Sequence, residues 1–296
     1  MLFERQRLLL TLLDGLGGQV GATDFQKLLF FFTHECEQEP SYEFVPYRFG
    51  AFSFTSYADK RKLVAEGTLG DDEQNWTLTA HGRKIARERA VLPLVVAGFC
   101  RSASLRGNAL VAEQYRQFPY YACRSEIVGR LGLEPEAEAR IRATIPAKHR
   151  AGLLTIGYEG KSLERYLNQL LVAGVTVLCD VRRNPLSRKF GFSKQTLRNA
   201  SQGVGLRYEH LPELGSDSED RRDLKTQADY DALFAEYERT TLPTETQSLA
   251  KIQAWVGMGE RVALTCYEAL ACQCHRGRVA AALGMAGGPL LRAEHL

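Results

Sequence analysis

A pair of short apolar runs joined by a helical segment constrains the fold of this chain more than any other feature. The runs lie at 153–156 and 175–181, and the residues between them have helical spacing after Ser162, which is placed to cap a helix. A strand, a crossing helix and a second strand form a right-handed unit with parallel strands. Further apolar runs at 206–211 and around Val262 predict a sheet of three or four parallel strands covered by helices. The predicted fold class for this half of the chain is α/β.

The length of 296 residues is enough for more than one core, and the chain is predicted to divide into three parts. Residues 1–90 combine three helical segments with a terminal strand, which predicts a mostly helical, winged-helix-like recognition domain. Residues 91–150 are expected to form a helical connector that ends in a basic linker at 140–150. Residues 151–296 form the α/β domain.

Composition favours a globular protein of a reducing compartment. Apolar residues make up 45% of the chain and charged residues 25%, which is typical of globular domains. No apolar run is long enough to predict a membrane span, and the acidic residues Glu4 and Asp14 argue against a signal peptide. The seven cysteines are odd in number and concentrated late in the chain, which favours reduced thiols and a cytoplasmic location.

Polar and reactive side chains follow each of the predicted strands. Ligands gather beyond the carboxyl ends of the strands in an open parallel sheet, so these side chains are expected to meet in one pocket. They are Tyr158 after the first strand, Asp180, Arg182, Arg183, Ser187 and Arg188 after the second, and Cys266, Glu268, Cys274, His275 and Arg276 after the last.

Four of these residues are candidates for catalysis: Glu268, His275, Asp180 and Cys266. Glu268 is the candidate for proton transfer or for stabilising a cation, because a crowded pocket can tune a carboxylate. His275 is a candidate acid or base, with helix capping as its alternative role. Asp180 is either catalytic or held in an ion pair with Arg182, and Cys266 is either a nucleophile or a structural thiol.

The other candidates are predicted to bind the substrate. Several arginines and a serine in one loop suit a phosphate group, and a solvated basic face is the alternative. The predicted binding residues are Tyr158, Arg182, Arg183, Ser187, Arg188, Cys274 and Arg276.

The cysteine-rich run at 266–275 raises the question of a metal. Zinc sites usually pair two closely spaced ligands with a distant second pair, whereas the run ending in Cys274 and His275 is irregular. Neither a metal nor a cofactor is therefore predicted. A Walker A loop, a G-x-G-x-x-G fingerprint and a G-x-S-x-G elbow are all absent from the sequence, which disfavours kinases, dinucleotide oxidoreductases and serine hydrolases.

Several motifs within residues 5–90 resemble a known family. FQKLLFFF, YRFGAFS, LVAEGTL and WTLTAHGRKIA are similar to the SocA/Panacea-type antitoxin-like domain, with Ala51 where that family usually has proline. The aromatic segment 42–53, which contains the second motif, is predicted to be a loop. The resemblance implies recognition of a nucleic acid or of a protein partner through this domain.

Motifs in the second half of the chain resemble the DUF488 family. They are TIGYEG, CDVRRNPLSRKFGFS, GLRYEHLPELG and the C-Y-E-A-x4-C-H-R run. The usual first motif of the family is TIGHS, so Tyr158 and Glu159 replace its histidine and serine, and a role for that histidine does not carry over. The resemblance implies a Rossmann-like α/β fold, with suggested links to DNA repair, modified-base processing and phage defence.

Together these features favour an enzyme that acts on a damaged or modified base in DNA, similar to a DNA glycosylase of repair or phage defence. The arginine-rich loop would hold phosphates, with DNA favoured over RNA, while the pocket takes a flipped base. Two alternatives stay open. One is a non-catalytic DNA- or protein-binding module of a defence or antitoxin system, and the other is a thiol-dependent enzyme acting on a small molecule through Cys266 or Cys274.

Overall fold

The computed structural model describes residues 2–145, 150–216 and 226–296. The chain divides into two compact units, Met1–Ile145 and Pro146–Leu296. The predicted linker at 140–150 lies partly outside the described residues, and its first part is helical because the last helix of the first unit continues to Thr144. The segment 217–231, which is rich in polar and charged residues, also falls largely outside the described residues.

The first unit is mostly helical. Its elements are α1 (Glu4–Gly15), β1 (Gln19–Gly21), α2 (Ala22–Cys36), β2 (Val45–Tyr47), β3 (Gly50–Phe52), α3 (Phe54–Ala65), β4 (Asn75–Thr77), α4 (Ala80–Glu88), α5 (Pro93–Ser102), α6 (Gly107–Gln117) and α7 (Pro135–Thr144). The strands form two small antiparallel pairs, β1 with β4 and β2 with β3.

The core of this unit is built around α2. Phe30, Phe31 and Phe32 are all buried, because neighbouring elements cover the helix on several sides. The segment 42–53 was expected to be a loop, and that prediction is wrong: it contains the β2–β3 hairpin. Gly50 adopts a left-handed φ of 93° where the second strand begins, a conformation that favours glycine. Short aromatic strands of this kind lack the alternation that identifies longer ones.

The second unit alternates strands and helices. Its elements are β5 (Gly152–Gly157), α8 (Leu163–Val172), β6 (Val177–Asp180), α9 (Lys194–Gly203), β7 (Arg207–His210), α10 (Gln227–Thr240), α11 (Thr246–Gly257), β8 (Arg261–Cys266), α12 (His275–Ala286) and β9 (Glu294–His295). The strands form one sheet of order β7-β6-β8-β5-β9, in which every neighbouring pair is parallel.

The predicted parallel sheet is confirmed, with five strands instead of three or four. The additional strand is β9, which has two exposed residues and no apolar pattern by which the sequence identifies a strand. The central strands β5, β6 and β8 are buried along nearly their whole length, as parallel strands covered on both faces must be. The chain is thus mixed α/β; the winged-helix-like and Rossmann-like classifications stay predictions.

Two serines directly precede helices, Ser162 before α8 and Ser193 before α9, and they have different roles in the structure. The Ser162 hydroxyl accepts a hydrogen bond from the Arg165 amide at 3.0 Å, so the predicted cap of α8 is confirmed. Ser193 precedes α9 but makes no side-chain cap. Its hydroxyl donates to the Ser187 carbonyl at 3.1 Å and accepts from the Ser187 amide at 3.2 Å, so it fastens the preceding loop instead.

Among the described residues, no helix combines the length and apolar character required to cross a membrane.

Candidate functional site

A cavity of about 620 Å³ lies at the carboxyl ends of the central strands. β8 lies between β5 and β6, although it follows both in the sequence. The chain order therefore reverses at the centre of the sheet, and the loops after these three strands meet there. The lining consists of Tyr158, Arg182, Arg183, Asn184, Leu186, Ser187, Arg188, Lys189, Ser216, Cys266, Tyr267 and His275.

His275, the first residue of α12, lies buried at the floor of the cavity. Its Nε2 is 2.8 Å from the Val181 carbonyl oxygen. A carbonyl can only accept a hydrogen bond, so Nε2 carries a proton, and in the neutral imidazole Nδ1 is then the atom with the lone pair. That Nδ1 atom is 3.8 Å from Cys266 Sγ, 3.9 Å from Cys274 Sγ and 3.4 Å from Ser216 Oγ. Nδ1 is therefore the ring atom of His275 that faces the polar floor.

Cys266 and Cys274 flank this imidazole from opposite ends of one loop. Cys266 is the last residue of β8, and Cys274 immediately precedes α12. Both thiols are buried, and burial raises the pKa of Cys274 well above its usual value, with the hydrogen bond from Cys266 adding to the effect. Together with His275 they offer three donor atoms that all lie within 4.8 Å of one another. Cys272, by contrast, is exposed, with its sulfur 4.0 Å from Gln227 Oε1.

Asp180 is fully buried at the end of β6, where it pairs with Arg182. Arg182 donates from Nε at 2.8 Å and from Nη2 at 2.6 Å, and its amide donates to the same carboxylate at 3.1 Å. The Tyr208 hydroxyl adds a further bond at 2.7 Å, and burial followed by the charge of Asp180 raises the pKa of Tyr208. These bonds direct the Asp180 carboxylate toward Arg182 and Tyr208 and hold the start of the loop after β6, whereas a catalytic role for Asp180 stays a prediction.

Tyr158, in the loop after β5, contacts the ion pair of Asp180 and Arg182. Its ring stacks on Phe192 with centroids 4.2 Å apart, and its hydroxyl accepts a hydrogen bond from Arg182 Nη1 at 2.9 Å. Lys189 reaches back to donate to the Tyr158 carbonyl at 3.1 Å. Burial is the largest single effect on the pKa of Arg182 and lowers it, but the hydrogen bonds and charge of Asp180, with Tyr158, together outweigh burial and raise the pKa overall, so the guanidinium stays charged.

The loop after β8 is held tightly against the first strand. A side chain at Gly157 would overlap the backbone carbonyl of Glu268, so the close approach of the two loops requires glycine there. Arg276 is buried and donates to the carbonyls of Glu268 at 2.5 Å and Ala269 at 2.9 Å. The Glu159 carboxylate accepts from the Ala269 amide at 2.9 Å. Arg276 and Glu159 thus orient the loop that carries Glu268.

Glu268 lies beside the floor of the cavity and is half-buried. Cys266 Sγ is 3.5 Å from its Oε2 atom. The carboxylate therefore adjoins the thiol that lines the cavity, at a position where it can interact with a bound molecule or with water.

The structure brings most of the predicted site residues to one place. Those that line the cavity are Tyr158, Arg182, Arg183, Ser187, Arg188, Cys266 and His275. Glu268 and Cys274 lie next to the lining, whereas Asp180 and Arg276 are buried behind it and hold the loops. Which of these residues act in catalysis or binding stays a prediction.

Several lining residues were not among the predicted site residues: Asn184, Leu186, Lys189, Ser216 and Tyr267. Lys189 and Asn184 belong to the basic segment after β6, so their position after a buried strand is a signal that could have identified them. Tyr267 lies between two predicted residues. Ser216 is remote from the other lining segments in sequence, and only the folded chain brings it to His275.

Part of the second unit matches a known protein family. Residues 162–283 match the family model described as domain of unknown function DUF488. The resemblance to this family is thus confirmed for most of the second unit, although the TIGYEG segment precedes the matched residues. No family match supports the SocA/Panacea-type resemblance of residues 5–90, which stays a prediction. No curated protein and no solved structure matches the chain.

Proposed function

We propose that this protein is an enzyme that hydrolyses the N-glycosidic bond of a damaged or modified base in DNA. The observation that carries the proposal is the cavity at the centre of the sheet, which combines a cationic rim with a floor of thiol, imidazole and carboxylate groups. Its volume of about 620 Å³ lies within the usual range for small-molecule sites.

The rim of the cavity suits a phosphate backbone. Arg183 and Arg188 are exposed there, and Lys189 is half-buried beside them. The amide of Lys189 also donates to the Ser187 hydroxyl, which holds the loop in one shape. Lysine and arginine contacts to phosphates supply most of the affinity of proteins for DNA and position the duplex without reading its sequence.

An aromatic side chain at the mouth suits a flipped base. Tyr267 is 45% exposed and lies edge-on to Tyr158, with ring centroids 5.3 Å apart. Enzymes that modify a base take it out of the stack and hold it between aromatic or apolar side chains. Leu186, in the loop after β6, is 77% exposed and offers a second apolar surface for the base.

The chemistry assigned to Glu268 is the activation of water. Its carboxylate would accept a proton from a water molecule whose oxygen bonds to C1′ of the sugar. The C1′–N bond breaks, and its electron pair leaves with the base, which takes up a proton from solvent, while the proton accepted by Glu268 returns to solvent. The negative charge of Glu268 also stabilises the positive charge that develops on the sugar as the bond breaks.

Base release from defined duplexes tests this proposal. Each duplex carries one modified or damaged base, and free base and abasic sites are measured by mass spectrometry after incubation with the protein. We expect release from at least one such duplex, and a loss of rate of about 100-fold or more in Glu268→Gln. Glu236→Gln, which removes an exposed carboxylate on α10, is the matched control. Absence of both products from every duplex would refute the glycosidic reaction.

A binding measurement separates the enzyme from a binding module. The logarithm of the affinity for DNA falls as the logarithm of the salt concentration rises. In Arg188→Gln one phosphate contact is lost, so we expect this fall to be less steep by about one unit of slope. Arg239→Gln, an exposed arginine on α10 that is paired with Glu236, should leave the slope unchanged. Salt-dependent binding that depends on Arg188 but yields no product would favour the alternative of a module without turnover.

A further inference from the structure

Two thiols and an imidazole meet at the floor of the cavity, although their sequence spacing does not suggest a metal site. The ligand atoms are Cys266 Sγ, Cys274 Sγ and His275 Nδ1, and all three residues are buried. We propose that these residues bind one divalent transition-metal ion, Zn²⁺, with a fourth coordination position open to the cavity. This inference goes beyond the proposed reaction and does not depend on it.

The separations between the three atoms fit a tetrahedral ion. Zinc lies about 2.3 Å from thiolate sulfur and about 2.0–2.1 Å from imidazole nitrogen. In a tetrahedron these bonds place sulfur about 3.6 Å from nitrogen and the two sulfurs about 3.8 Å apart. The observed distances from His275 Nδ1 are 3.8 Å to Cys266 and 3.9 Å to Cys274, so shifts of a few tenths of an ångström would bring the nitrogen to the required separation from each sulfur. The two sulfurs lie within 4.8 Å of each other.

The far side of the imidazole provides an independent argument. Histidines that ligate metals usually donate their other ring N–H to a carbonyl or carboxylate, which fixes the tautomer and the ring orientation. His275 Nε2 donates to the Val181 carbonyl at 2.8 Å, so the lone pair of Nδ1 is directed at the two sulfurs. A histidine that only packed in a core would not require this atom to face two thiols.

The ligands also come from fixed positions. Cys266 ends a central strand that is paired on both sides, and His275 begins a helix. Gly277 follows in the first turn of α12, and a side chain there would overlap the Ala271 carbonyl, so the loop closes tightly onto the helix. Ligands on rigid elements are held close to coordination geometry before the ion binds.

The choice of zinc follows from the donor atoms. Two thiolates and one imidazole form a soft, nitrogen- and sulfur-rich set that suits zinc and not magnesium or calcium. Catalytic zinc sites have three protein ligands and keep the fourth position for water. Here Cys266 and His275 line the cavity, and Ser216 Oγ is 3.4 Å from Nδ1 on that side. The fourth position would therefore open to the cavity.

A bound ion would change the role of His275 but not that of Glu268. The Nδ1 lone pair would be used as a ligand, so His275 would no longer be available as an acid or base. A water molecule on the ion would lie beside the Glu268 carboxylate, which adjoins Cys266. Nucleobase deaminases use a similar combination, in which two cysteines and a histidine bind zinc and a glutamate that is not a ligand transfers protons.

Metal content tests the proposal without any DNA. The full chain is purified with reductant and without chelator, and zinc is measured by inductively coupled plasma mass spectrometry. We expect about one zinc ion per chain, and an affinity at least about tenfold weaker in Cys274→Ser. Cys272→Ser changes an exposed thiol of the same loop and is the matched control, so it should keep a full complement of zinc.

Two measurements on the unmodified chain keep the test decisive if Cys274→Ser fails to fold. Co²⁺ added to the metal-free chain should give thiolate-to-cobalt absorption bands, which Zn²⁺ abolishes. Zinc should also protect Cys266 and Cys274, but not Cys272, from alkylation mapped by peptide mass. A chain that binds no zinc and no cobalt after reconstitution, or a folded Cys274→Ser with unchanged affinity, would overturn the metal site. Because no DNA is involved, either result leaves the proposed reaction to be judged separately.

Discussion

At the scale of single residues, burial and its partners favour the ion-pair interpretation of Asp180. The sequence left it as either a catalytic residue or one half of an ion pair, and the structure surrounds it with Arg182 and Tyr208. The ion pair could be suggested from the sequence, because Asp180 and Arg182 are only two positions apart. The depth of burial and the third partner could not be read from the sequence, because Tyr208 comes from another strand.

The first prediction concerns this ion pair. Asp180→Asn leaves the buried guanidinium of Arg182 without its counter-charge, and we expect the free energy of unfolding to fall by about 3–5 kcal/mol. Tyr208→Phe removes only one hydrogen bond to the carboxylate and should cost about 2 kcal/mol. Urea unfolding followed by circular dichroism measures both. An Asp180→Asn variant of normal stability would show that the carboxylate does not hold the loop.

A second residue-scale prediction concerns Lys27 in the first unit. Its side chain is buried and donates from Nζ to the Ala51 carbonyl at 2.7 Å. Burial lowers the pKa of Lys27 to about 7. The unfolded chain takes up a proton below about pH 10.5, whereas the folded chain takes it up only below about pH 7. Between these values the unfolded state binds more protons, so Lys27 makes stability rise as the pH rises.

Lys27→Met should remove that dependence. We expect the slope of unfolding free energy against pH, measured between pH 7.5 and 9.5, to fall by up to about 1.4 kcal/mol per pH unit. The exposed Lys84→Met on α4 makes the same change of charge and serves as control. If Lys27→Met and Lys84→Met gave the same slope as the unaltered chain, Lys27 would titrate normally and the argument from burial would be wrong.

At the scale of elements, the sequence was most informative where patterns were long. The β5–α8–β6 unit was predicted because two apolar runs bracket a helix with a capping serine. The β2–β3 hairpin was missed because its strands have three residues each and include Pro46. The hydroxyl of Ser193 could not be assigned correctly, since a capping serine and a loop-fastening serine look identical in sequence.

The two serines give the third prediction. Ser162→Ala removes the cap of α8 and should cost about 1 kcal/mol, with faster hydrogen exchange at the Arg165 amide. Ser193→Ala should leave exchange in the first turn of α9 unchanged and instead speed exchange at the Ser187 amide. Exchange measured residue by residue distinguishes the two effects. Faster exchange at the start of α9 in Ser193→Ala would contradict the assignment.

The proposed metal site depends on two elements, the end of β8 and the start of α12, whose proximity the sequence does not indicate. Spacing within the run 266–275 argued against a metal, yet the strand end and the helix start place Cys266, Cys274 and His275 around one point. Ligand spacing rules describe closely spaced pairs of ligands, as in zinc fingers. Here the loop between strand and helix brings the ends of two elements together, so the distance in space is short while the sequence spacing is irregular.

At the scale of the whole molecule, each unit contains hydrophobic clusters of its own. The clusters of the first unit are centred on α2 and on α6 with α7, and all their buried members lie before Ile145. A cluster in the second unit is formed by residues from the sheet and its covering helices. The cavity and the proposed metal ligands all belong to this second unit.

The fourth prediction follows from this separation. Residues 1–145 and 146–296, expressed as separate fragments, should each unfold in a single cooperative transition, since each contains a core of the size that supports independent folding. Urea unfolding of each fragment by circular dichroism provides the measurement, and the slope against urea should be about half that expected for the whole chain, because the slope scales with the surface exposed. A gradual, non-cooperative transition in either fragment would show that its core is incomplete without the other unit, and the description of two independent cores would have to be abandoned.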